Sequence, residues 1–399
     1  MTDSTRKQTV AVAFVTFVGL GLTGGLLGLA WPSMQKEFGL PLDAVGILYL
    51  VQTGAYTLAS FSIGRLMSRW GSGTILLAGV VCMAVCMFGV ALAATWVAII
   101  ALMLLFGLGS GVVDAGLNLY LATYHSARQM SWLHACFGIG ITVGPLIMTW
   151  VLARSLQWQT GYGVVGIALV VIVLIMAATR GQWRTEGFQT AGHRPVRRAG
   201  FGETLRVPVV WFSMATFVVY VGSEIGIGQW AYLILTESRG MAPGLAGPWV
   251  SAYWGAFTGG RILFGIVANR FEIKRVLRFC MVGMVAGTLL FWWNPATAVS
   301  VIGLMVVGFA QAPVFPTLMS DTAPRVGVEH AENTISLQMG AVGIGTAVLP
   351  GLLGAVGNVY GLEVMAASFV LLAVWVLIFH ELSRLGGMAQ ASATPVTSK

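Results

Sequence analysis

The chain is a succession of apolar runs, each about long enough to cross the hydrocarbon of a bilayer. A helix needs about 20 mostly apolar residues for that. Such runs lie near 10–34, 43–67, 74–94, 97–123, 131–153, 159–179, 208–235, 245–268, 276–293, 297–319, 332–356 and 361–380, which makes twelve. The pairs 74–94/97–123 and 276–293/297–319 have almost no polar residue between them, so each hairpin is inferred from length: one helix cannot span twice. Only 9% of the residues are charged, against about 25% in a soluble domain. The expectation is an all-α membrane protein crossing the bilayer twelve times.

Charge sets the orientation. Arg6 and Lys7 precede the first run, which is too long for a signal-peptide core, so it reads as a retained span. With the N-terminus inside, the inner segments hold every one of the 22 Lys and Arg residues except Lys36, Arg154 and Arg239. The positive-inside rule then places both termini in the cytoplasm of a bacterial-type inner membrane. The net charge of +8 is the same bias. Because these arginines are spread over many short loops, no nucleic-acid partner is expected. Cys82, Cys86, Cys136 and Cys280 lie in or beside apolar runs without accompanying His or carboxylate, and read as packing residues.

The longest polar stretch, Arg180–Arg206, divides the runs into six and six. The expected division is 1–180 for the first bundle, 181–207 for a basic linker, 208–384 for the second bundle and 385–399 for a tail. The two sets align at a constant offset of 201: Gly21 with Gly222, Gly25 with Gly226, Gly64 with Gly265, Arg69 with Arg270, Gly107 with Gly308. An offset that holds from the first span to the fourth argues for duplication. Internal repeats are a mark of secondary transporters, whose sites lie near the midplane between the repeats.

The segment Gly64-Arg-Leu-Met-Ser68-Arg69-Trp-Gly71, echoed by Gly265-Ile-Val-Ala-Asn269-Arg270, resembles the signature loop of the major facilitator superfamily. Ser68 stands where that loop usually has Asp. Four further stretches resemble the fucose–galactose–glucose:proton symporter group. They run from His134 to Gly144-Pro145, from Gly222 through Glu224 to Gln229-Trp230, across Tyr253-Trp254-Gly255 with Gly260-Arg261, and from Gly308 through Gln311 to Pro316. The resemblance implies alternating access between two six-helix bundles, with Gly64, Arg69, Gly265, Arg270 and Arg261 at the inner gate. It also implies proton-coupled uptake of a sugar. The fucose permease of that group uses acids in the first and fourth spans. This chain keeps the second as Asp114 and has none in its first span.

Of the 14 acidic residues only Asp114 and Glu224 lie deep in a span. Carboxylates in hydrocarbon are rare, costly and usually functional. Asn118 shares a helix face with Asp114, as Tyr220 and Gly228 do with Glu224. Gly107 and Gly111 extend the Asp114 face as a small-residue stripe. A proton carrier needs such a carboxyl exposed alternately to each side, and His134 at the inner end of the fifth span could relay between Asp114 and water. The alternative for either acid is a neutral carboxyl that hydrogen-bonds a neighbouring helix. Asp114 with Asn118 could also offer oxygens to sodium, so the coupling ion stays open.

A sugar needs hydroxyl partners and an aromatic face. Candidates are Gln52 and Tyr56, Asn118, Tyr220, Gln229 and Trp230, Tyr253 and Trp254, Gln311 and Gln338. Amides present paired donors and acceptors, although they also serve as interhelical glue. Trp31, beside Pro32 at a span end, is expected in the interfacial aromatic belt. The Gly140-x-x-x-Gly144-Pro145 run resembles a motif of antiporters in the superfamily, which keeps proton-driven efflux of an amphipathic compound as the competing expectation. Small residues at that spacing also permit close helix contact. A sensor with a transporter fold is the third. No Walker loop, HExxH or other enzyme signature is present. No cofactor or metal is expected. The chain is expected to act as a monomer on a small solute and an ion, with the bilayer as its remaining partner.

Overall fold

The computed structural model describes residues 3–125, 127–183, 199–267 and 272–393, almost entirely as helix. The first set comprises α1 (Asp3–Thr23), α2 (Leu26–Phe38), α3 (Val45–Trp70), α4 (Ser72–Leu92), α5 (Trp96–Tyr124), α6 (Ala127–Ala153) and α7 (Trp158–Thr179). After the one-turn α8 (Phe201–Thr204) come α9 (Pro208–Leu233), α10 (Pro243–Val267), α11 (Ile273–Trp293), α12 (Thr297–Gln311), α13 (Val314–Ser320), α14 (Thr322–Val326), α15 (Val328–Tyr360) and α16 (Leu362–Ala393).

Among the described residues eleven helical stretches are long and apolar enough to cross a membrane. The expected run 245–268 does form a helix, α10, but it is not one of the eleven. Its glycines, Trp249, Tyr253, Trp254 and Arg261 keep it more polar than the rest. Two expected spans are broken. The first parts at Gly24–Gly25, where Gly25 takes φ 76°, a left-handed conformation that a residue without Cβ adopts at little cost. The tenth parts at Ala312–Pro313, where proline has no N–H to continue the ladder. Trp31 is not in an interfacial belt. It is fully buried against Trp96, with ring centroids 5.8 Å apart, because α2 turns that face inward.

Glycine lets helices approach to backbone contact. A Cβ at Gly140 would run into the carbonyl oxygen of Val18, and one at Gly144 into those of Leu22 and Gly24. The antiporter-like run is therefore accounted for by close packing of α6 on the broken first span.

The two sets of helices meet at positions related by the 201-residue offset. Lys36 Nζ pairs with Glu237 Oε1 at 3.0 Å. A Cβ at Gly28 would lie 2.9 Å from the carbonyl oxygen of Gln229, again 201 residues on. Repeat-mates that touch lie on a pseudo-twofold axis. The flanking seams obey the same relation to within one residue. Gly46 of α3 abuts Gly351 of α15, where a Cβ would come within 2.8 Å of the partner Cα, and Gly247 of α10 abuts Thr149 of α6. Further along, Gly343 faces Thr53 and Thr57, and Gly138 and Gly255 face Thr258 and Thr142 respectively. Gly64 and Gly265 lie seven residues beyond Thr57 and Thr258, hence on the same helix faces, and a Cβ on either would have nothing within 4 Å. The seams are closed at the end carrying residues 36, 46, 237 and 351, and parted at the other.

This geometry makes Gly351→Leu a wedge. Overpacking a close contact costs about 1–3 kcal/mol, enough to bias the molecule away from closure at this end. Thr149→Cys, buried in the matching seam, should then react with a water-soluble maleimide several-fold faster in the Gly351→Leu background. Unchanged labelling would show that the two seams do not open together.

Candidate functional site

Asp114 and Asn118 lie one turn apart on α5. The Tyr56 hydroxyl donates to Asp114 Oδ2, and Asn118 Nδ2 donates to Oδ1 at 2.8 Å. The small-residue stripe explains why Tyr56 is within reach. A Cβ at Gly107 would strike the carbonyl oxygen of Gln52, and one at Gly111 the backbone of Tyr56. The glycines draw α3 onto α5 and deliver the hydroxyl to the acid. Gln52, half-buried, sits one turn before Tyr56.

Glu224 occupies the equivalent setting in the second set. The Tyr220 hydroxyl stands 2.6 Å from Glu224 Oε2 and 2.9 Å from the carbonyl oxygen of Gln311. That carbonyl ends α12 just before the Ala312–Pro313 break. The Tyr253 hydroxyl lies 2.6 Å from Gln311 Oε1 and 3.1 Å from the Glu224 carbonyl. Trp254 packs edge-on to Tyr253 at 4.9 Å and lies against Gly228. Its indole nitrogen, 3.6 Å from where a Cβ of Gly25 would stand, has no hydrogen-bond partner. Gln311 Nε2 and Ser223 Oγ are likewise unpartnered.

His134 and Arg261 lie between the two acids, toward the parted end. His134 is exposed, packs edge-on to Phe17 at 5.9 Å, and is within Coulombic range of both Asp114 and Arg261. Arg261 lies 4.2 Å over the ring of Phe257, one turn before it on α10, and within Coulombic range of Glu224. Asp114, His134, Arg261 and Glu224 thus form a chain of ionisable groups across the two sets of helices.

The other expected contacts are spent elsewhere. Trp230 Nε1 donates to the Pro350 carbonyl at 3.0 Å and the ring is fully buried. Gln338 of α15 bonds Ser213 of α9 and Thr322 of α14. Gln229 accepts from Tyr49 at 2.9 Å and so ties α3 to α9 at the closed end. Of the gate residues, Gly64 and Gly265 line the parted end, and Arg69 lies 5.4 Å over Trp70. Arg270 lies outside the described residues. Sequence reasoning missed Tyr49 and the Lys36–Glu237 contact. The second was readable in principle, since 36 and 237 are repeat-mates of opposite charge.

A profile for the Major Facilitator Superfamily matches residues 12–350 and 227–383, and the chain belongs to that family. It is a multi-pass membrane protein of a transporter family. Among curated relatives, an uncharacterized MFS-type transporter of Yersinia pestis is 26% identical over 79% of this chain and 80% of its own length. Protein TsgA of Shigella flexneri is 22% identical over 80% of each chain. Three solved structures share the fold: the nucleoside transporter NupG (TM-score 0.76, 14% identity, 95% of this chain and 99% of that one), a D-xylose-proton symporter (0.70, 13%, 93% and 97%) and FucP in its outward conformation (0.62, 15%, 94% and 98%).

If the stripe on α5 exists to seat Tyr56 on Asp114, Gly107→Val should destabilise the purified protein by about 1–3 kcal/mol, lowering its melting temperature. Gly163→Val, where a Cβ meets nothing within 4 Å, should leave melting unchanged. Equal melting of the two variants would remove that role from Gly107.

Proposed function

We propose that this protein is a proton-coupled symporter for a sugar or sugar-like polar solute. One observation carries the reading: among the described residues each set of helices holds a mid-span carboxyl against a tyrosine hydroxyl, Asp114 with Tyr56 and Glu224 with Tyr220. A carboxyl that can keep or release its proton according to which side it faces is the minimum requirement of a proton carrier. Trp254 Nε1 and Gln311 Nε2, buried beside Glu224 without hydrogen-bond partners, and the amide of Asn118 are the groups this reading assigns to a polyol. The solved structures of FucP and a D-xylose-proton symporter, which share this fold, support the same substrate class.

On this reading the bundles 1–180 and 208–384 rock about the closed seams, and the termini face the cytoplasm of a bacterial inner membrane. The parted end is then the cytoplasmic one, and this conformation faces inward. We take the proton as coupling ion because both oxygens of Asp114 are already met by O–H and N–H donors. Gly140 and Gly144 have a packing use whichever way the solute moves, so we rest the choice of symport over efflux on the paired carboxyls.

The test is accumulation in liposomes under an imposed pH gradient. One proton per solute supports about tenfold accumulation per pH unit. Glu224→Gln, purified as a monodisperse protein, should abolish gradient-driven accumulation of whichever member of a monosaccharide and sugar-derivative panel the wild type concentrates. Accumulation at the wild-type level in that variant would remove Glu224 from coupling.

A further inference from the structure

Among the described residues Arg261 has no carboxylate within ion-pair distance. Its Nε is buried with no hydrogen-bond partner, and its guanidinium is fixed over Phe257. The other arginines set among the helices of the second set are paired. Arg239 is held by Glu363 at 2.9 and 3.0 Å, Arg325 by Asp321 and Ser383, and Arg278 and Arg384 both by Glu381. The ionisable groups within Coulombic range of Arg261 are Glu224 and Tyr220 on α9, Tyr253 on its own helix and His134 on α6. Asp114 is engaged by Tyr56 and Asn118 in the first set.

Counting hydrogens explains why Glu224 leaves Arg261 alone. Tyr220 has one hydroxyl hydrogen and faces two acceptors, the Gln311 carbonyl and Glu224. The carbonyl can only accept. Both contacts are satisfied when Glu224 is protonated, donates to the Tyr220 oxygen, and Tyr220 donates onward to Gln311. Glu224 is then neutral, and the guanidinium faces the opening unbalanced. An unpaired guanidinium among membrane helices is a site for an anion. The pair is no relic of duplication, since the repeat-mates of Glu224 and Arg261 are Thr23 and Ser60.

We propose that Arg261 receives a carboxylate of the solute, which makes the solute a sugar acid or similar hydroxylated organic anion, carried with a proton on Glu224. The proposal rests on the proton-coupled reading above and narrows its substrate class. Two carboxylates then compete for one guanidinium. With solute bound, Glu224 keeps its proton and the solute pairs with Arg261. When solute leaves, Glu224 releases its proton to the cytoplasm and pairs with Arg261 itself. Both pairings relieve the state drawn above, in which Glu224 is protonated and the guanidinium has no anion, so proton and anion travel as a set.

The experiment is counterflow in liposomes with D-galacturonate and D-galactose as labelled probes, on wild type, Arg261→Gln and Arg261→Lys. Galacturonate should exchange and galactose should not. Losing a charge-assisted contact in Arg261→Gln should raise the KM for galacturonate ~10–100-fold, with Arg261→Lys between. Should the Gln variant fail to fold, the Lys variant decides, because a wild-type KM there overturns the proposal. Wild-type KM in a folded Gln variant also overturns it. Exchange of galactose alone overturns it and leaves the sugar-symport reading standing, and exchange of neither probe overturns it while that reading is decided by its own panel.

Discussion

No water is available in hydrocarbon to satisfy a polar group, so each one placed there must find a partner within the protein. That constraint shapes the centre of this molecule. Asp114 is met by Tyr56 and Asn118, and Glu224 by Tyr220, whose hydroxyl also takes the carbonyl left free where α12 breaks. Each acid is hydrogen-bonded within its own set of helices, so neither ties the two sets together. The halves remain free to part at one end while the acids stay housed.

What holds the halves at the other end is shape. Gly28, Gly46, Gly247 and Gly351 remove the side chains that would keep helices apart, and the contacts they make run to backbone or to Thr149. Dispersion falls steeply with distance, so such a seam is made or lost as a unit. The Lys36–Glu237 bridge on its rim is exposed, with side chains 71% and 45% accessible, and exposed pairs contribute little. Arranging these contacts about a pseudo-twofold lets the same surfaces support two opposed conformations.

Much of this was legible in the sequence because helix periodicity is local. Asp114 with Asn118 and Glu224 with Tyr220 are each four residues apart, and the i,i+4 rule placed them together. The glycine stripe at 107 and 111 also marked a face for a neighbouring helix, though which neighbour came only with the fold. The repeat offset was visible, and it reappears as contact between repeat-mates. The illegible features depend on tertiary competition for partners. Trp230 and Gln338 have the chemistry of a sugar site, yet Pro350, Ser213 and Thr322 claim them. Trp31 looked interfacial beside Pro32 because nothing in the sequence shows that Trp96 covers it. The break at Gly24–Gly25 needs α6 and Trp254 against it, and glycines alone do not forecast that, since membrane helices tolerate them.

The central claim is that one solute and one proton cross together through a site bounded by Asp114, His134, Arg261 and Glu224. The most direct measurement is internal pH. Liposomes holding the protein and a trapped pH-sensitive dye, with equal pH on both sides, are given an inward gradient of solute. The account predicts that the interior acidifies as labelled solute enters, in a fixed proportion of protons to solute. Solute entry with no change of internal pH would contradict it.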